Sequence, residues 1–210
     1  MTLKERIGKI IAGLKKIYPR AHCELDFSNP LELIVATVLS AQCTDKRVNL
    51  VTQTLFKKYR TAKDYAFASP SALEKEIRST GFFRQKAKWI RQLCRKLIRE
   101  HGGKVPRSME KLTLLPGVAR KTANVVLGNA YGIASGIVVD THMKRLAYRM
   151  GLTQEEDPVK IEQDLVKLVL QKDWIWFSHA MIWHGRRVCK ALSPNCPECI
   201  LQSFCPKRGI

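Results

Sequence analysis

The sequence predicts an all-α protein that ends in a metal-bound tail, and three observations carry that expectation. Apolar residues recur at helical spacing along most of the chain, and several helix starts are written in capping residues followed by proline. The β-branched run GIASGIVVD, residues 132–140, stands without a partner run, so no sheet is expected. Finally, Cys189, Cys196, Cys199 and Cys205 crowd together at C-x6-C-x2-C-x5-C spacing.

The helices come in a clear order. Leu3, Ile7, Ile10, Ile11, Leu14 and Ile17 form one stripe of a first amphipathic helix. Asn29-Pro30-Leu31-Glu32 reads as a helix start, with a capping Asn, Pro at the first helical position and Glu three residues on. The segment it opens, LELIVATVLSAQC, is apolar all round and is expected to be a buried central helix. Ser69-Pro70 and Asp157-Pro158 mark further starts, and Gly81 follows a helix ending near Thr80. Residues 84–100 make a long basic amphipathic stretch.

Thirty-seven Lys and Arg against eighteen Asp and Glu leave a net charge of +19 on 210 residues. Such an excess opposes compaction by self-repulsion and points to a polyanionic partner, of which nucleic acid is the commonest. The charged N-terminal stretch has no apolar core of a signal peptide, and no run approaches a membrane span. Seven cysteines, an odd count, fit a reducing cytoplasm better than a secreted disulfide framework. Cys23, Cys43 and Cys94 read most simply as small buried hydrophobes.

The terminal Cys-Pro-Glu-Cys pair puts two thiolates on one tight turn, and two outer cysteines close a four-thiolate set. Soft sulfur in that arrangement suits zinc or an iron–sulfur cluster. Arg186, Arg187, Lys190, Lys207 and Arg208 surround it, so the centre should face something anionic.

A second constellation is LPGVARKTAN, residues 115–124. Pro116-Gly117 makes a tight turn, and a helix should begin near Ala119. Backbone N–H groups at such a place can hold a phosphate oxygen without reading base sequence. An ordinary helix–turn–helix corner would look the same. Lys121 falls in the first helical turn, where the helix macrodipole disfavours a cation. A phosphate contact is one reason for it. A nucleophilic amine able to form a Schiff base is another, since the positive helix end and Arg120 both oppose protonation. Asp140 precedes a further helix start and can be a plain N-cap or a carboxylate that works with Lys121. His142 is expected to be packed or phosphate-contacting.

These residues meet a known pattern. LPGVARKTANVVL, VVDTHMKRLAYRMGL, the cysteine tail, LSAQCTDKRVN (residues 39–49) and GFFRQKAKWI (residues 81–90) together resemble the endonuclease III family of DNA glycosylases. The resemblance implies a helix–hairpin–helix glycosylase fold: a six-helix barrel over residues 22–133, and a discontinuous domain, residues 1–21 and 134–210, carrying a [4Fe–4S] cluster. DNA would lie in the cleft between them. Lys121 matches the nucleophilic lysine, Asp140 the catalytic aspartate, and the four terminal cysteines the cluster ligands. Leu115, Pro116, Gly117, Val118 and Ala119 match the hairpin, with Arg120, His142, Arg186, Arg187 and Lys190 as further DNA contacts. Gln42 matches the residue that fills the space left by a flipped base, and Phe82 a wedge position, although a core plug would also suit a phenylalanine there.

Two departures stand out. Ala119 replaces the hairpin's usual second glycine, which would strain the turn if that position needs a positive φ. Phe82 replaces a commonly aliphatic wedge. The implied activity is bifunctional: removal of oxidised pyrimidines through a lysine Schiff base, then strand nicking by β-elimination at abasic sites. The implied partner is damaged double-stranded DNA, bound by a monomer. The rivals are a non-enzymatic helix–hairpin–helix binding module, a monofunctional mismatch glycosylase, which lacks the lysine, and a tail that holds zinc.

Overall fold

A computed structural model describes residues 1–210 as eleven α-helices and three short 3-10 helices, with no strand. The chain divides into two compact units, Cys23–Ile133 and Met1–His22 with Ala134–Ile210.

The continuous unit is organised by α2 (Pro30–Leu39), whose Leu33, Ile34, Val35, Ala36, Val38 and Leu39 are all buried. Its start is the expected one: Pro30 is at the first helical position, and Asn29 Oδ1 accepts from the Glu32 amide at 3.0 Å. The Glu32 carboxylate accepts from the Ser28 amide at 2.6 Å, one residue before the cap. The helix ends at Leu39, so Ser40 to Cys43 lie in a turn beyond it and not in the helix expected through Cys43. Packed against α2 are α3 (Asp45–Lys58), α6 (Phe83–His101) and α8 (Arg120–Tyr131), the last preceded by α7 (Met109–Thr113). Two shorter helices, α4 (Ala62–Phe67) and α5 (Pro70–Ile77), lean on α6. Cys94 is buried here as expected, whereas Cys23 and Cys43 are only half-buried.

The discontinuous unit is built from α1 (Leu3–Ile17), α9 (Thr141–Arg149), α10 (Pro158–Leu168), α11 (Trp174–Arg187) and the cysteine tail. Of the α1 stripe, Ile7, Ile10 and Leu14 enter the core, while Leu3 and Ile17 at its ends are exposed. Gly13 lets the tail dock on α1, because a Cβ there would lie 2.7 Å from Leu201 Cδ2. The β-branched run leading to Asp140 forms no strand: Ile137, Val138 and Val139 are buried, and the Val138 amide donates to Ser178 Oγ at 3.0 Å.

Candidate functional site

In the continuous unit, the hairpin between α7 and α8 is pinned by two buried side chains, Leu115 and Val118. Their backbones close the turn, with the Val118 amide donating to the Leu115 carbonyl at 3.1 Å. These two residues can therefore offer a ligand only main chain. Gly117 sits at φ +77°, a conformation open to glycine at little cost. Pro116 is half-buried, and Gly117 and Ala119 are exposed. Ala119 has φ −84° and ψ 169°, an extended N-cap that any residue adopts. The strain expected from its missing glycine does not arise.

Ala119 has no side-chain acceptor, and the first turn of α8 carries no acid. Amides at this helix start thus receive no side-chain cap, which leaves them suited to an anion. Arg120 and Lys121 occupy the first two helical positions, and both are exposed.

Gln42 and Phe82 share an unusual backbone. Both are non-glycine residues in left-handed conformation, at φ +52° and φ +47°, and both are exposed. Phe82 is 66% exposed, so it is no core plug. Nothing in its sequence context distinguishes that state, because left-handed positions are normally signalled by Gly or Asn.

In the discontinuous unit, Asp140 is the N-cap of α9, its Oδ1 accepting from the Met143 amide at 2.8 Å. The capping reading of this residue is therefore realised, and the half-buried carboxylate is held in one orientation. Two residues on is His142, with Arg145 Nη2 at 3.2 Å from its Nδ1. Burial keeps its imidazole below the usual histidine range; Asp140 opposes that shift, while Arg145 and Arg186 reinforce it. Arg186 and Arg187 are exposed at the end of α11, and Arg187 stacks over Trp183 at 4.1 Å from the ring centre. Lys190 is exposed in the loop beyond the helix.

The four terminal cysteines line one partly open pocket, together with Met150, His184, Val188 and Leu201 among others. No group of three His, Cys, Asp or Glu side chains gathers closely enough to hold a single ion, so the thiols surround a space and not a point. Burial pushes the Cys199 and Cys205 thiols up, and the sulfurs of Cys189 and Cys196 add to both shifts. A bound cationic centre reverses that tendency, since a coordinating thiol is deprotonated outright. Four soft donors around an apolar, partly open space fit an iron–sulfur cluster.

The sequence reading missed the residues that frame this cavity. Arg145 Nη2 donates to the Gly185 and Cys189 carbonyls at 3.0 and 2.9 Å. Arg149, itself buried, donates to the Lys190 and Ala191 carbonyls at 2.7 and 2.8 Å and lies 3.5 Å from Cys189 Sγ. His184 Nε2 is 3.5 Å from Cys199 Sγ. The only signal was the spacing of Arg145 and Arg149, four residues apart on one helix face.

Comparisons with known proteins bear on the family and the fold. The model of the HhH-GPD superfamily of base excision DNA repair proteins matches residues 35–171. Endonuclease III of Synechocystis sp. is 55% identical over 203 residues, covering 97% of this chain and 93% of that protein. Endonuclease III of Bacillus subtilis is 47% identical over 190 residues, covering 90% and 86%. Among solved structures, a trapped endonuclease III–DNA covalent intermediate superposes with a TM-score of 0.94 at 45% identity, covering 99% of this chain and 97% of that one. A non-covalent endonuclease III–DNA complex gives 0.95 at the same identity and coverage. The chain belongs to the endonuclease III family of helix–hairpin–helix DNA glycosylases.

Proposed function

We propose that this protein is a bifunctional base excision repair enzyme, a DNA glycosylase and AP lyase that acts on damaged or abasic double-stranded DNA. The observation that carries the reading is exposed Lys121 in the first turn of α8, directly after the glycine hairpin. A lysine there is poorly served by the helix dipole and well placed beside a phosphate-binding turn.

The chemistry assigns the roles. The target nucleotide must leave the stack before C1′ can be reached, at a cost that is lowest for a damaged base. Gln42 and Phe82, both exposed, fill the vacated space. Hairpin amides and the basic residues Arg120, Arg186, Arg187 and Lys190 hold the backbone, and His142 is a further contact. The amine of Lys121 attacks C1′ and the base departs with the bonding electron pair. Asp140 supports the positive charge that develops on the sugar. The new nitrogen gives up a proton to the departing base, the C1′–O4′ bond opens with protonation of O4′, and the iminium so formed acidifies C2′. Loss of a C2′ proton then expels the 3′ phosphate, which nicks the strand. Oxidised pyrimidines are the proposed substrates.

We assign residues 22–133 to a six-helix barrel domain, and residues 1–21 with 134–210 to a cluster domain. Cys189, Cys196, Cys199 and Cys205 would hold a [4Fe–4S] cluster, which supplies structural cross-linking of the tail and no bond cleavage. No helix is long and apolar enough to cross a membrane.

Lys121→Ala tests the reading. It should abolish nicking of abasic-site duplex and leave binding nearly intact, because one cation among a net +19 changes the electrostatic attraction little. Equal loss of binding and nicking would reduce Lys121 to a phosphate contact.

A further inference from the structure

Lys86 lies inside the continuous unit, 1% exposed, on α6. Its Nζ donates to the Leu39 carbonyl at 2.7 Å and to the Thr80 carbonyl at 2.8 Å. Both acceptors end helices: Leu39 is the last residue of α2, and Thr80 the last of the 3-10 helix Arg78–Thr80. Helix C-termini carry orphan carbonyls and partial negative charge, and a cation there satisfies both. Here two such ends converge on one ammonium.

The residues just beyond those two carbonyls give the contact its meaning. Gln42 comes three residues after Leu39, and Phe82 two residues after Thr80. They are two of the three non-glycine residues with positive φ in the chain, and the third, Lys207, belongs to the other unit. Backbones in sparsely populated conformations persist only where the surroundings over-determine them. Between each carbonyl and its exposed side chain run only local turns, in which Cys43 N donates to Ser40 O at 3.1 Å and Gly81 N to Arg78 O at 3.4 Å. The buried ammonium bonds to both helix ends, and the Lys86 amide donates to the Phe82 carbonyl at 3.0 Å as well.

We propose that Lys86 is a positioning residue whose ammonium ties the Gln42 and Phe82 tips into one rigid pair, set to enter the base stack together. The inference rests on the reading of Gln42 and Phe82 as stack fillers. Fixing both tips beforehand spares the ordering that binding would otherwise require. It also links the two turns directly through one atom, Nζ. Lys86 touches neither substrate nor Lys121 in this role; it acts through the two turns.

The test uses the full chain carrying Lys86→Met, which keeps the apolar stem and removes the donors. Each preparation is assayed for base excision from a thymine-glycol duplex and for β-elimination at an abasic site in single-stranded DNA. The second reaction has no stack to fill. Lys86→Met should slow duplex excision on the order of 10²-fold, the scale of a small misplacement, while single-strand cleavage stays at the wild-type rate. Introduced into Gln42→Ala/Phe82→Ala, it should add no further loss on duplex. Parallel Gln42→Ala and Phe82→Ala chains separate the two levels: if neither slows duplex excision, the stack-filling reading fails, whatever Lys86 does. If they slow it and Lys86→Met does not, or if Lys86→Met depresses both reactions alike, the positioning role is overturned. Should Lys86→Met not fold, Lys86→Gln, which keeps amide N–H donors but loses the charge and part of the reach, takes its place. Failure of both to fold would also overturn the proposal, leaving Lys86 a requirement of the fold alone.

Discussion

Trp89 closes against Gly117 so tightly that a methyl group on the glycine would lie 3.1 Å from the tryptophan Cβ and 3.2 Å from its Cγ. The hairpin glycine is thus required twice, by its φ of +77° and by this contact. Gly117→Ala should cost about 1–2 kcal/mol from the left-handed backbone alone, with displacement of Trp89 in addition. A lowered melting temperature together with weaker, salt-sensitive duplex binding checks it. Ala119→Gly, at an ordinary extended position, should leave binding unchanged.

Asp140 serves as a cap and, on the proposed reading, as a catalytic carboxylate; two substitutions separate the roles. Asn caps a helix about as well as Asp, so Asp140→Asn should melt near wild type yet lose excision. Asp140→Ala should lose excision and also about 1 kcal/mol of stability, because the bond to the Met143 amide goes. Comparing melting curves with turnover decides the matter. Full activity in Asp140→Asn would leave a cap only.

His142 sets a pH dependence whose sign is fixed by its burial. Its imidazole is held below the ordinary value of 6.5 in the folded chain, so the unfolded chain binds the proton first as pH falls. Its contribution to stability is therefore complete above pH 6.5 and is lost as pH drops from there towards the lower folded value. Denaturant midpoints measured across that range should fall less steeply for His142→Gln than for wild type.

The four-thiolate cavity predicts a coloured protein. Cys199→Ala should remove the visible sulfur-to-iron absorption and lower the melting of the discontinuous unit, whose tail docks through Leu201 beside Gly13. A colourless wild-type protein containing one zinc would overturn the cluster assignment. Protection of backbone amides in Cys23–Ile133 should hardly change.

Much of this was legible in the chain because the signals are local. Asn29, Asp140 and Asp157 cap the helices they were expected to cap, each through its own side chain. Pro116-Gly117 marks its turn for the same reason, and the cysteine spacing gathers four thiols around one cavity. The features that stayed hidden depend on tertiary surroundings. The apolar run through Cys43 gave no sign that α2 stops at Leu39, since the carbonyl that ends it is met by a lysine 47 residues away. Lys86 itself lay in a basic stretch that reads as a solvated face. Gln42 and Phe82 lack the glycine that usually announces a left-handed backbone, and Arg149 looked like one more surface cation in a strongly basic chain.

The proposed chemistry turns on a covalent bond between Lys121 and the sugar, and borohydride trapping reads that bond directly. Wild type and Lys121→Ala would be incubated with a labelled thymine-glycol duplex and, separately, an abasic-site duplex, each with borohydride. A nucleophilic Lys121 predicts a stable protein–DNA band for wild type on both substrates and none for Lys121→Ala. A band that survives in Lys121→Ala, or none from wild-type protein that binds the abasic duplex tightly, would contradict it.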